Sequence, residues 1–152
     1  MTRGNARELA VHLIYAREFT GEEPEMVIAT RLKKEYYNML SGENPVYEDR
    51  PSHAQRAYID NVVTGVANRV DELNEIISKY SVDWDITRIS KLARAVMQLA
   101  IFEIQNLDDV PTGVAISEAV RIVKLYDSEE AGAFVNGILG SYARNLTTEV
   151  NV

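Results

Sequence analysis

The segment from Leu92 to Ile104, LARAVMQLAIFEI, limits the folds open to this chain more than any other. Its only polar residues are Arg94, Gln98 and Glu103, so a helix through it has no polar face wide enough to remain in water. The run is also shorter than the roughly 20 apolar residues that cross a bilayer. It therefore predicts a central helix that other helices cover on several sides.

Helical periodicity extends along the rest of the chain, and no segment shows the period-two alternation of a half-buried strand. The predicted helices run from the N-terminus to Gly21, from Pro24 to about Leu40, from a capping Ser52 to Tyr80, through the central segment, after Gly113 and from Ser128 onwards. The pattern predicts an all-α fold, a compact single-domain helical bundle over residues 1–152 with about six to seven helices.

Two of the predicted connections are distinctive. The stretch from Ser41 to Pro51, SGENPVYEDRP, is turn-rich and is predicted to be the most mobile loop. The break after Tyr80 contains Trp84 as a large apolar anchor. Asp85 or Thr87 is predicted to cap the turn that leads into the central helix.

Composition excludes several classes of protein. With 46% hydrophobic and 26% charged residues, the chain has the composition of an ordinary folded protein. It has no cysteine, which rules out disulfides, thiolate metal ligands and cysteine nucleophiles. Glu8 and His12 occupy what would be the apolar region of a signal peptide, so a cytoplasmic location without a membrane segment is predicted.

Charge is unevenly distributed. The net charge is −7, which argues against a chain that binds nucleic acid by charge alone. Residues 1–17 contain three arginines and one glutamate, a balance of +2, so the other 135 residues carry −9. A basic end on an acidic body can meet an anionic partner and a cationic partner. The plainer interpretation is a solvated charged surface.

Catalytic patterns are missing from the sequence. Neither histidine belongs to a His-Glu-x-x-His motif, and no glycine-rich stretch matches a phosphate-binding loop. The paired acids at 108–109 and 129–130 adjoin predicted helix starts, where they favour the helix dipole. The sequence therefore predicts no catalytic residue, no metal, no cofactor and no enzymatic activity.

The first helix carries a candidate RNA surface. Arg3, Arg7 and Tyr15 lie roughly along a face different from the apolar stripe. Arginines beside an aromatic ring suit phosphate contact and base stacking on single-stranded RNA. The alternative is that these side chains only extend over the core towards water.

A second unusual stretch is FVNGIL, from Phe134 to Leu139. It places the polar Asn136 and the helix-weakening Gly137 among apolar residues. A close contact between helices is the favoured explanation for this glycine, and a ligand that approaches the backbone is the alternative.

Taken together, these segments resemble the NusB family of bacterial transcription antitermination factors. The similarity lies in ARELAVHLIY, RI-x8-QLAIFEI, VP-x3-AISEAVRIVKLY and FVNGIL, in the same order and spacing, and leaves out residues 41–51. The resemblance implies an all-helical protein without catalysis. Such proteins pair with the ribosomal protein NusE and bind single-stranded boxA RNA of nascent ribosomal RNA transcripts. With other Nus factors they join the RNA polymerase elongation complex and suppress premature termination.

The resemblance also implies an RNA site. The family's RNA contacts centre on a basic N-terminal arm, which matches Arg3 and Arg7, with Tyr15 and Phe134 as weaker matches. The sequence departs from the family pattern where basic residues are usual, at Gly4, Asn5, Gln98 and Ala133, and elsewhere at Ala93 and Ser117. Fewer cations should weaken RNA binding by the free chain and flatten its salt dependence. The heterodimer with NusE is therefore expected to be the species that binds RNA.

Two alternatives remain open. A NusB-like domain also forms the N-terminal part of some ribosomal RNA cytosine methyltransferases, which need a cofactor domain and cysteine chemistry that these 152 residues lack. The other alternative is a protein interaction module with weak or lost RNA binding, for example a homodimer that covers its own basic helix.

Overall fold

The helices begin and end largely at residues whose side chains or backbone conformation suit helix ends. The fold is described from a computed structural model, which describes residues 1–81 and 89–150, and side chains as far as residue 146. These residues contain eight α-helices and one short 3-10 helix, and no strand. The helices are α1 (Arg3–Thr20), α2 (Pro24–Arg31), α3 (Lys34–Leu40), α4 (His53–Asn68), α5 (Val70–Tyr80), α6 (Lys91–Asn106), α7 (Thr112–Tyr126) and α8 (Glu129–Val150), with the 3-10 helix at Pro45–Tyr47. The all-α prediction is confirmed.

The helices divide into two compact units, residues 1–68 and residues 69–152. The first contains α1 to α4 and the 3-10 helix, and the second contains α5 to α8. The expectation that residues 1–152 form one domain stays a prediction.

In the first unit, α1 packs against α2 and α4, and α2 also packs against α4. The apolar face of α1 is fully buried, including Leu9 and Leu13. Thr2 caps the start of α1 by accepting a hydrogen bond from the Asn5 N–H at 3.0 Å. Gly21 ends the helix, as predicted, in the left-handed conformation (φ 66°) that glycine adopts without strain.

The predicted helix from Pro24 to Leu40 is two helices. Leu32 and Lys33 separate α2 from α3, and Lys33 is extended, with ψ at 138°. The prediction of one helix was wrong because Leu32 remains buried while the backbone turns. Its carbonyl accepts a hydrogen bond from Nη2 of Arg50 at 3.1 Å, a tertiary contact that the spacing of apolar residues does not encode.

The predicted helix from Ser52 to Tyr80 is also divided. Ser52 caps α4 as predicted: its Oγ accepts from the Gln55 N–H, and Gln55 Oε1 accepts from the Ser52 N–H. Arg69 interrupts the helix with φ at −128°. Its guanidinium lies over the Phe102 ring at 5.5 Å and donates to Oδ1 of Asn106 at 2.7 Å. These contacts with α6 stabilise the break at Arg69 between α4 and α5. The prediction of one long helix was therefore wrong. The two interruptions raise the helix count of the described residues above the predicted six to seven.

In the second unit, α6 occupies the centre and packs against α5, α7 and α8. Nearly every residue from Ala93 to Glu103 is buried, which confirms the predicted central helix. The α6 cap is Ser90, whose Oγ accepts from the Ala93 N–H at 3.0 Å. The predictions for Trp84, Asp85 and Thr87 concern residues outside those that the structure describes.

The glycine of α8 that lies close to a neighbouring helix is Gly132, rather than Gly137. A Cβ atom added to Gly132 on α8 would lie 2.7 Å from Cγ of Lys124 on α7. Gly137 is exposed, and a Cβ atom there would meet no atom within 4 Å outside its own helix backbone. The expectation of close packing at Gly137 was therefore wrong. Among the described residues we find no helix with the length and hydropathy of a membrane span.

Candidate nucleic-acid interface

The start of α1 presents an arginine on a buried aromatic ring. Arg3 is exposed, and its guanidinium carbon lies 4.5 Å from the centroid of the Tyr58 ring on α4. Tyr58 is itself 7% exposed. The arrangement is a cation–π contact between an exposed cation and a ring held by the core. Sequence reasoning missed Tyr58, because no local pattern links residues that far apart in the chain.

The first turns of α4 also hold the backbone that precedes Arg3. The side-chain amide of Gln55 donates to the carbonyl oxygen of Met1. The same side chain takes part in the reciprocal cap with Ser52. Both the chain before Arg3 and the Arg3 side chain are therefore positioned by the N-terminal part of α4.

Arg7 lies one turn further along α1 in a different environment. Only 5% of Arg7 is exposed, and its neighbour Glu8 has the same low exposure. Arg3 is thus the arginine of the predicted arm that faces solvent directly.

Tyr15 lies near the other end of α1, where it is 36% exposed. Its ring meets the ring of Phe19 edge to face, with the centroids 5.0 Å apart, and Phe19 is 60% exposed. Twelve residues of helix separate Arg3 from Tyr15, which is about 18 Å along the axis and about a third of a turn around it. A ligand that touches both must follow the helix for that length. Phe19 was not predicted, although an aromatic pair at positions i and i+4 is the signal that would have found it.

Phe134 belongs to the other unit. It lies in the second turn of α8 and is 7% exposed, while the neighbouring Asn136 is exposed. The structure thus brings Arg3, Arg7 and Tyr15 together on one helix, and places Phe134 on another helix with its ring buried.

A polar cluster lies on the side of α1 that faces the segment 41–51. Nδ1 of His12 lies 2.8 Å from the Tyr47 hydroxyl. The Tyr37 hydroxyl donates to the carbonyl oxygens of Val46 and Asp49, at 3.1 and 2.5 Å. The turn-rich segment predicted to be mobile is therefore attached to α1 and α3 by its central residues.

The cluster is neutral at physiological pH. Burial lowers the pKa of His12 from 6.5 to about 4, and the positive charge of Arg31 lowers it further. Burial also raises the pKa of both Tyr37 and Tyr47 to about 12. His12 and Tyr47 therefore form a hydrogen bond between two uncharged groups, and the tautomer of His12 determines which of them donates. His12 thus contributes no positive charge beside α1.

Among the residues that the structure describes, no group of three or more His, Asp or Glu side chains is arranged to hold a metal ion. The candidate interface residues are cationic and aromatic, and of these Arg3, Tyr15 and Phe19 are exposed.

Comparison with known proteins identifies the family. A sequence model of the NusB family matches residues 4–144. The chain belongs to the NusB family. A protein named transcription antitermination protein NusB from Acetivibrio thermocellus is 40% identical over 144 residues, which cover 95% of this chain and 90% of the relative. The protein of that name from Sorangium cellulosum is 36% identical over 145 residues, covering 95% of this chain and 93% of the relative.

Solved NusB structures share the fold. T. maritima NusB has a TM-score of 0.77 and 26% identity, covering 95% of this chain and 92% of that chain. A crystal structure of the antitermination factors NusB and NusE in complex with dsRNA has a TM-score of 0.70 and 24% identity, covering 91% of this chain and 93% of that chain. At 24% identity, the similarity to the NusB chain of this complex shows a shared fold and nothing more.

Positions at which this sequence departs from the NusB pattern fall into two environments. Gln98 is 2% exposed and donates to Oδ1 of Asn74 on α5 at 2.8 Å, so a neutral amide pair occupies the place of a usual arginine. Ala93 is also buried. Ser117 and Ala133 are exposed.

Proposed function

We propose that this chain is a transcription antitermination factor that binds boxA RNA of nascent ribosomal RNA transcripts as a heterodimer with the ribosomal protein NusE. In this role it works with RNA polymerase and other Nus factors in the cytoplasm to avoid premature termination, and it is not an enzyme. The observation that carries the RNA-binding proposal is the exposed Arg3, held at the start of α1 on the Tyr58 ring. The curated relatives named transcription antitermination protein NusB support it.

Charge supports the heterodimer as the RNA-binding species. Residues 18–152 carry a net charge of −9, and Arg7, one of the two arginines of the predicted arm, is buried. The predicted arm of the free chain therefore offers RNA a single exposed arginine, Arg3, on a chain of net negative charge, which limits binding by counterion release. A basic ribosomal protein would both neutralise the acidic body and add cations for RNA. The solved complex of NusB, NusE and dsRNA supports this choice of partner.

We further propose that residues 1–152 act as one NusB domain, and that Arg3, Arg7, Tyr15 and Phe134 each take part in RNA binding, Arg3 and Tyr15 from the surface and Arg7 and Phe134 from buried positions. The family model spans both units, from residue 4 to residue 144, which supports a single functional domain.

The test is fluorescence anisotropy of a labelled boxA RNA, titrated with this chain alone and with an equimolar mixture of this chain and its cognate NusE. We expect weak binding by the chain alone and at least about tenfold tighter binding by the mixture, because the mixture supplies more phosphate contacts. An RNA of the same length and composition in scrambled order is the control. Equal binding with and without NusE would contradict the heterodimer. No binding in either case would favour the interaction module without RNA binding.

A further inference from the structure

We propose that Tyr58 is a positioning residue for RNA binding, because its ring on α4 holds the Arg3 guanidinium in place before RNA arrives. This inference rests on the proposed RNA-binding function and extends the RNA site from α1 to a helix that the sequence did not implicate.

The geometry pairs a fixed ring with a solvent-facing cation. Tyr58 is 7% exposed, so its orientation is set by the core of the first unit, whereas Arg3 is exposed. The 4.5 Å distance from the guanidinium carbon to the ring centroid is that of a close cation–π contact. The ring therefore acts as a rigid platform under the Arg3 guanidinium.

Stacking is compatible with phosphate binding. A guanidinium directs its five N–H donors outwards in its own plane, and a phosphate takes two of them side by side. A contact through the face of the guanidinium uses none of these donors. Tyr58 can thus fix Arg3 without competing with RNA.

The benefit is preorganisation. A long arginine side chain loses rotamer freedom when it binds, and a partner that restricts it beforehand reduces that loss. Gln55 adds to the effect by holding the Met1 carbonyl, so the backbone before Arg3 is fixed by the same helix. At an exposed site, a cation–π contact of this kind corresponds to about a two- to fivefold change in affinity.

The experiment compares Tyr58→Leu with Tyr58→Phe in the boxA titration with NusE. Loss of the ring should weaken RNA binding about two- to fivefold, while phenylalanine keeps the ring and should restore the wild-type affinity. Because Tyr58 is buried, Ile59→Val is the matched control: it weakens packing at the adjacent buried position of α4 and keeps the Tyr58 ring. Tyr58→Met replaces the leucine variant if that variant does not fold.

A double-mutant cycle distinguishes positioning from general destabilisation. We expect Tyr58→Leu to have no further effect in an Arg3→Ala background, because the ring then has no guanidinium to hold. Equal losses in both backgrounds, or a loss with Ile59→Val as large as with Tyr58→Leu, would overturn the inference. So would full affinity in Tyr58→Leu together with a clear loss in Arg3→Ala. Failure of the proposed function is seen separately, as absence of boxA binding by the wild-type mixture, and it would overturn both proposals.

Discussion

At the scale of single residues, the polar side chains of α1 differ most in their solvent exposure. Arg3 is exposed, while Arg7 is 5% exposed. The His12 side chain extends from α1 to Tyr47 in the segment 41–51, and burial keeps it neutral by lowering its pKa to about 4. These environments give each residue a distinct response to substitution or to pH.

Lowering the pH should reduce the free energy of unfolding, because unfolding allows the buried His12 to bind a proton. Its pKa is about 4 in the folded protein and about 6.5 in the unfolded chain, so the unfolded state binds more protons between these values. The contribution of neutral His12 to the free energy of unfolding is therefore fully present above about pH 6.5. It is lost as the pH falls towards 4, by at most about 1.4 kcal/mol per pH unit. Urea denaturation at pH 7, 6 and 5 measures the slope. His12→Gln should flatten it, and His53→Gln, at the exposed other histidine, should not. An unchanged slope in His12→Gln would contradict the assignment.

Alanine substitutions at Arg3 and Arg7 should affect different properties, RNA binding for Arg3 and the free energy of unfolding for Arg7. Arg7→Ala removes a buried side chain and should lower the free energy of unfolding by about 2 kcal/mol or more. Arg3→Ala should lower it by less than about 1 kcal/mol. In the presence of NusE, Arg3→Ala should also reduce the slope of log K against log salt by about 0.7, the value of one phosphate contact on single-stranded RNA.

Urea denaturation and anisotropy at several salt concentrations give both quantities for the two arginine variants. A stable Arg7→Ala with a reduced salt slope would show instead that Arg7 contacts phosphate directly.

At the scale of helices, tertiary contacts decide where the chain turns. The carbonyl of Leu32 is satisfied by Arg50, and the break at Arg69 is held by Phe102 and Asn106. Gly21 ends α1 through its positive φ, whereas Gly137 lies exposed in the middle of α8. The same residue type therefore has opposite effects on stability at the two positions.

Alanine at the two glycines should shift stability in opposite directions. Gly21→Ala forces a side chain into the left-handed region and should destabilise the protein by about 1 kcal/mol. Gly137→Ala removes backbone freedom from the unfolded chain without a clash and should stabilise it by about 0.5–1 kcal/mol. Thermal unfolding of both variants beside the wild type measures the difference. If Gly137→Ala is stabilising but weakens RNA binding, the hypothesis of a ligand close to that backbone gains support.

At the scale of the whole molecule, the proposal of one domain can be checked by cooperativity. If residues 1–152 unfold as one unit, calorimetry should give one transition, with the calorimetric enthalpy equal to the van't Hoff enthalpy. Two transitions, or a ratio of the enthalpies well above one, would show that residues 1–68 and 69–152 are independent. Gly137→Ala lies in the second unit, so under the one-domain proposal it should shift the whole transition rather than part of it.

The sequence alone predicted the helical class, the central helix and the ends of several helices. Leu92 to Ile104 is apolar on every side, and burial among helices follows from that pattern directly. Ser52, Ser128 and Gly21 mark helix ends through hydrogen bonds or backbone conformation within a few residues. Because these interactions are local, the sequence predicts them. The predicted site residues were chosen by residue type and by resemblance, and their part in RNA binding stays a prediction.

The tertiary structure decided everything that depends on residues distant in the chain. The interruptions at Leu32 and Arg69 depend on such partners, as does the tyrosine ring under Arg3. So does the difference between Arg3 and Arg7, since both are arginines on one helix and only packing against other elements buries the second. Periodicity reports which face of a helix is apolar, but it carries no information about which residue of another helix meets that face. The sequence thus predicted that the long elements are helices, and the tertiary contacts determined where helices break and which arginine of the predicted arm faces solvent.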